Sequence, residues 1–159
     1  MHLERFDELE ALRIAIQSKI DSYNFYKEAL QHVQNKTCKE LLTTLAEDER
    51  RQHSTLEKKY TRLSGKRLLY ISLPRQRRFI RNIIPNSSEL EVLEAAIQQE
   101  SDGRDFFEHA SRVVAGSDTH ETFEELVKEE ERHIHLLESE YSAQTKTEDD
   151  GSLKLASAQ

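Results

Sequence analysis

The stretch Leu126-Val127-Lys128-Glu129-Glu130-Glu131-Arg132-His133-Ile134-His135-Leu136-Leu137 decides how this chain is read. Leu126, Val127, Ile134 and Leu137 recur at the three-to-four spacing of one helical face. Glu130 and His133, three apart, share that face, so a carboxylate oxygen and an imidazole nitrogen can reach toward one point. That is metal-ligand spacing. In a chain with 30 acidic residues such a pair also arises by accident on a solvated face, so the decision rests with the residues around it.

Working outward, the stretch has an echo. Glu49 lies 81 positions before Glu130, and at the same offset Leu12 meets Leu93, Ala15 meets Ala96, Ile16 meets Ile97 and Phe25 meets Phe106. The register continues through Leu45 with Leu126, Arg51 with Arg132, Leu56 with Leu137 and Tyr60 with Tyr141. One register held over two helices and a connection marks an internal duplication of a helical hairpin.

The local signals agree. An uninterrupted helical period runs from about Phe6 to Val33, and a second, after the polar break Gln34-Asn35-Lys36-Thr37, from about Lys39 to Leu63, with Gly65 as its stop. A third helix starts behind Ser88, whose spacing to Glu91 spells a capping box, and reaches about Val114. The fourth runs from about Thr119 to Ala143. The expected fold is all-α: a four-helix bundle over 1–143, built from a first hairpin (6–63), a long crossover (64–87) and a second hairpin (88–143), followed by a polar tail (144–159) expected to be disordered.

Composition supports this and narrows the function. Four Gly and two Pro in 159 residues, with 33% charged, favour long helices over a turn-rich β fold. The single cysteine, Cys38, excludes an internal disulfide and a Cys-x-x-Cys metal or redox motif. No apolar run is long enough to span a bilayer and the first residues lack a signal-peptide pattern, so a cytoplasmic location is expected. A net charge of -7 argues against nucleic-acid binding. Charge is nonetheless uneven: residues 61–88 hold Arg62, Lys66, Arg67, Arg75, Arg77, Arg78 and Arg81 and no acid. That segment either pairs with the acidic helices or docks a protein partner.

In bundles with a two-metal carboxylate centre, two helices each give a Glu and the other two each give a Glu-x-x-His. The second hairpin supplies Glu100, Glu130 and His133; the equivalent first-hairpin positions are Lys19, Glu49 and Gln52. With Ala96-Ile97-Gln98-Gln99-Glu100, Phe106-Phe107 and the stretch quoted first, and with Ala15-Ile16, Phe25-Tyr26 and Leu45-Ala46-Glu47-Asp48-Glu49 in the other half, the chain resembles a rubrerythrin-type member of the ferritin-like superfamily over about 6–143. The resemblance implies a non-haem di-iron bundle, often a homodimer, active in peroxide reduction, iron oxidation or iron storage. Two departures qualify it: Lys19 stands where a Glu ligand is implied, and Gln52 where a His is. The cysteine count also excludes a rubredoxin module.

The expected ligand set therefore shrinks to Glu49, Glu100, Glu130 and His133, a mixture of oxygen and nitrogen donors that suits one iron, or manganese, more than a soft metal. Lys19 is expected to supply positive charge to Glu49 and Glu130. His53, four residues beyond Glu49, is a candidate substitute ligand, Tyr23 and Tyr26 are candidate hydrogen-bonding neighbours of the site, and Arg104 a candidate counter-charge for Glu100. Two functions follow: a peroxidase-like or ferroxidase-like oxidoreductase, or a non-catalytic interaction or iron-handling module with a dead di-iron site.

Overall fold

A computed structural model describes residues 2–69 and 86–157, and among these every regular element is a helix. The four are α1 (His2–Ala29), α2 (Lys36–Ser64), α3 (Glu89–Val113) and α4 (Asp118–Ser157). α1 packs on α2 and α3 on α4, and the two hairpins meet through α1 against α3 and α2 against α4. This is the repeated-hairpin bundle expected from the duplication.

The helix ends follow their capping chemistry. Asn35 caps α2, its side chain accepting from the Cys38 amide at 3.0 Å. Gly65 ends α2 at φ +69, a left-handed conformation that costs glycine nothing, and returns its N–H to the Thr61 carbonyl. Ser88 caps α3 by accepting from the Glu91 amide at 3.1 Å. The neighbouring Glu89 carboxylate accepts from the amides of Gln34 and Asn35, tying the start of α3 to the α1–α2 turn.

Two apolar clusters divide the core. One gathers Leu12, Ile16, Leu56, Tyr60, Phe107, Phe123 and Leu126; the other Phe25, Tyr26, Leu42, Leu45, Leu93, Ala96 and Leu137. On every helix one stretch of sequence falls between the two clusters, and there the buried residues are polar: Lys19 on α1, Glu49 and Gln52 on α2, Glu100 on α3, Glu130 and His133 on α4. A charged layer is thus sealed from solvent by apolar layers above and below it. Such a layer is tolerated only if its charges compensate one another or a bound ion.

One expectation changes. The segment from Gln144 onward is not a disordered tail: α4 continues through it to Ser157. Its composition is polar, but Pro is absent and Thr145 and Thr147 bond back to the carbonyls of Tyr141 and Ala143, so the helix propagates although most of these side chains are exposed. The core of the basic crossover, with Arg75, Arg77, Arg78 and Arg81, lies outside the described residues.

Candidate metal centre

The four expected ligands come together. Glu49, Glu100, Glu130 and His133 are all buried, and one donor atom of each lies within 4.8 Å of the others. Each reaches the centre because its helix turns that face inward between the two apolar clusters. His133 Nδ1 sits 3.2 Å from Glu100 Oε2 and 3.5 Å from Glu49 Oε1.

Lys19 enters the same layer. It is 1% exposed, and its Nζ lies 3.1 Å from Glu49 Oε2 and donates to Glu130 Oε1. Nζ also stands 5.1 Å from the centre of the Phe107 ring, whose face favours a cation. An ammonium therefore occupies the space between the two carboxylates that each hairpin contributes in duplicate. Burial opposes the charge on Lys19, but Glu130, Glu49 and Glu100 outweigh it and hold the ammonium protonated.

The carboxyls respond in the opposite sense. Burial pushes Glu49 up to about 7, against the pull of Lys19, and pushes Glu130 up to about 8, with Glu100 adding to the effect. Burial alone would lower His133, yet its bond to Glu100 and the charges of Glu100, Glu49 and Glu130 raise it to about 9. Tyr26 is fully buried and donates its hydroxyl to Glu100 Oε1; burial and that carboxylate hold the phenol well above its ordinary value.

Charge bookkeeping tests whether a metal fits this donor set. Three carboxylates and the Lys19 ammonium leave two negative charges, which one divalent cation cancels when His133 is neutral and ligating. A second divalent cation would leave the buried layer strongly positive. Without a metal, protonated His133 and a protonated Glu130 close the same balance.

The remaining expected residues divide. Gln52 is buried in the layer at 7% exposure, and neither of its amide atoms has a hydrogen-bond partner among the described residues. His53 lies beside Glu57, 3.7 Å from its carboxylate, and is not one of the clustered donors. Tyr23 packs at the edge of an apolar cluster, and Arg104 pairs with its neighbour Asp105 at 3.3 Å rather than with Glu100. Their helical positions turn them a fraction of a turn away from the centre.

Two contributors were not foreseen. Asp48 Oδ2 lies 3.2 Å from His133 Nε2 and 3.0 Å from Arg132 Nη2, so the ring is fixed from both nitrogens, the outer one by a carboxylate of the other hairpin. Burial would raise Asp48, but Arg132 and His133 overcome this and hold its carboxyl below the usual range. Asp48 is the repeat counterpart of Glu129, which was the available signal. Gly103 is the second: a Cβ there would stand 2.7 Å from Glu130 Oε2. A glycine inside a helix costs about 1 kcal/mol relative to Ala, and in the sequence that cost was the clue to a close approach.

Comparison with known proteins defines the class. The structure aligns over 92% of its length with 90% of the bacterioferritin-related protein of Bacteroides fragilis, described as a dodecameric thioferritin, at a TM-score of 0.78 and 16% identity. It aligns over 89% of its length with 38% of an Anabaena variabilis protein that joins a DJ-1/ThiJ/PfpI-like domain to a ferritin-like one (TM-score 0.73, 17% identity). It also aligns over 85% of its length with 88% of a hypothetical protein from Pyrococcus furiosus (TM-score 0.70, 22% identity). At these identities the likeness is one of fold, and the chain is a ferritin-like four-helix bundle. No curated sequence matches it. The rubrerythrin family model matches residues 91–156, a span that runs from the first turn of α3 to nearly the end of α4 and includes Glu100, Glu130 and His133.

Proposed function

We propose that this protein holds one divalent metal ion, iron or manganese, through Glu49, Glu100, Glu130 and His133, and that Lys19 replaces the second ion of a two-metal centre. The observation that carries the reading is the Lys19 ammonium between Glu49 and Glu130, beside four clustered donors. A bound iron would supply Lewis acidity and one-electron redox chemistry, and the reaction proposed is oxidation of ferrous iron or reduction of peroxide. The residues contribute the rest. Asp48 and Arg132 fix the His133 ring, Tyr26 orients Glu100, and Lys19 keeps Glu49 and Glu130 apart and partly neutralised. Assembly as a homodimer is part of this reading; the dodecameric state of the Bacteroides fragilis neighbour supports oligomerisation in general.

A second reading rests on the same ammonium. Lys19 and a protonated His133 nearly neutralise the layer without any ion, which supports a non-catalytic module in which the centre has become a buried ion network. Metal content of protein purified without added chelator separates the two. About one iron or manganese per chain, lost in Glu130→Ala, is expected; no metal in folded protein would favour the network, and two per chain would refute the replacement by Lys19. Lys19→Glu combined with Gln52→His should raise the content to two.

A further inference from the structure

The outer nitrogen of His133 belongs to a second cluster of donors. One donor atom each of Asp48, Glu129 and His133 lies within 4.8 Å of the others. The ring itself is buried, and its Nε2 stands 3.2 Å from Asp48 Oδ2. Glu129, by contrast, is 39% exposed and lines the open cleft between α2 and α4. The cluster thus runs from solvent to the edge of the buried layer, and His133 is common to both sets of donors.

A cation already sits in it. The single atom Arg132 Nη2 lies 2.7 Å from Glu129 Oε2, 3.0 Å from Asp48 Oδ2 and 3.4 Å from His133 Nε2. One positively charged group against two carboxylates and an imidazole marks the point where these donors converge. The guanidinium comes from a half-exposed side chain, and exposed ion pairs contribute little individually, so it can withdraw to solvent without disturbing the core. Arg51, the repeat counterpart of Arg132, takes Asp48 Oδ1 and leaves Oδ2 to the cluster. The duplication also explains the single nitrogen donor. Asp48 and Glu129 are counterparts of each other, and of the equivalent pair Gln52 and His133 only the imidazole offers a nitrogen lone pair.

We propose that Asp48, Glu129 and His133 Nε2 form an outer site for a divalent first-row ion, that Arg132 is the resident cation which the ion displaces, and that the ion enters the buried layer from there. Two carboxylates and an imidazole suit manganese, iron or zinc and not a soft ion. A neutral imidazole has one free lone pair, so His133 serves an outer ion through Nε2 or an inner one through Nδ1, and the two positions fill in turn. The passage inward rests on the metal reading above; the outer site does not.

Manganese(II) tests both parts on the full-length protein. With the inner donors silenced by Glu100→Gln and Glu130→Gln, EPR of the free ion should count one bound manganese per chain, and anomalous diffraction should place it between Asp48, Glu129 and His133 Nε2. Adding Glu129→Gln should weaken that binding about tenfold or more, and adding Arg132→Gln should tighten it about tenfold. With the layer intact, loading of the inner donors should slow about tenfold in Glu129→Gln and quicken in Arg132→Gln, both exposed positions that leave the core alone. The same charge changes next door, Glu125→Gln and Lys128→Gln, should alter the rate less than about threefold. No manganese in the silenced protein, a peak elsewhere, or unchanged affinity in Arg132→Gln would overturn the outer site; if the silenced protein does not fold, equal rates in the four single variants would do so. An occupied outer site with unchanged loading would overturn the passage alone. An occupied outer site with no ion ever reaching the inner donors would refute the metal reading instead.

Discussion

His133 and Gln52 occupy the same position in the two hairpins, yet they stand in opposite conditions. The imidazole is held at both nitrogens, by Glu100 and by Asp48; the amide is held at neither end. Glu100 and Lys19 make the second such pair, a carboxylate bonded by Tyr26 against an ammonium that reaches across to Glu130. The duplication supplied two equal halves. One places two carboxylates and an imidazole in the buried layer, and the other a carboxylate, an ammonium and an amide. Leaving a buried amide unsatisfied costs about 1–3 kcal/mol, whereas the ammonium compensates carboxylates whose isolation would cost more, so the two replacements in the first hairpin are not equivalent. Lys19 compensates the layer, whereas Gln52 leaves a buried amide in it unsatisfied.

The sharpest way to break that contrast is to remove the ammonium. Lys19→Met keeps most of the volume and leaves Glu49 and Glu130 facing each other unpaired. Breaking a buried ion pair from one side costs about 3–5 kcal/mol, and that loss is expected in urea denaturation of the metal-free protein. Saturating manganese should recover much of it by offering a cation to the emptied position. A variant as stable as the parent without metal would show that Lys19 is not what balances the layer.

The protons of the layer give a second test. Glu49 at about 7, Glu130 at about 8 and His133 at about 9 keep protons that the unfolded chain, with ordinary Glu and His values, has already released. The native state therefore binds more protons from about pH 4.5 to about pH 9, and stability must fall as pH rises through that window. Asp48, shifted downward, has finished titrating below it and does not offset the trend. Metal-free protein should lose stability steadily between pH 5.5 and pH 8.5 by chemical denaturation. Saturating divalent metal, which needs the deprotonated ligands, should flatten the slope. A slope of zero or opposite sign in the metal-free protein would contradict the proton inventory of the layer.

Much of this was legible in the sequence because it is periodic. The helices follow from apolar spacing, the duplication from a register that never slips, and the clustering of Glu49, Glu100, Glu130 and His133 from superposing the two halves. Lys19 was placed correctly for the same reason: at the centre of a buried stripe between Ile16 and Tyr23, its long stem has nowhere else to go. What escaped was whatever depends on angle rather than period. Arg104 and His53 are each one residue-step off the inward face and pair locally with Asp105 and Glu57. Asp48 lies one step off as well, but there the step carries it across to the outer edge of His133. The helical continuation past Gln144 was hidden for another reason, since composition records the lack of a core but not the ease of extending a helix already nucleated.

Gly103 gives the last and finest test of the two halves, because its repeat counterpart is Ser22, a residue with a side chain. Glu130 has leaned onto the backbone of α3 at a place where no Cβ stands, and an added methyl would meet its Oε2 at 2.7 Å. In Gly103→Ala the better helix former gains up to about 1 kcal/mol while the displaced carboxylate gives some of it back, so stability of the metal-free protein should change by less than about 1 kcal/mol. Metal affinity should respond differently. Glu130 must leave that position, and with it the cluster of donors that it forms with Glu49, Glu100 and His133. About a tenfold loss of affinity, roughly 1.4 kcal/mol, is expected in competition against a chelating indicator. An unchanged affinity would mean that Glu130 serves the ammonium alone, leaving the second hairpin no less dependent on Lys19 than the first.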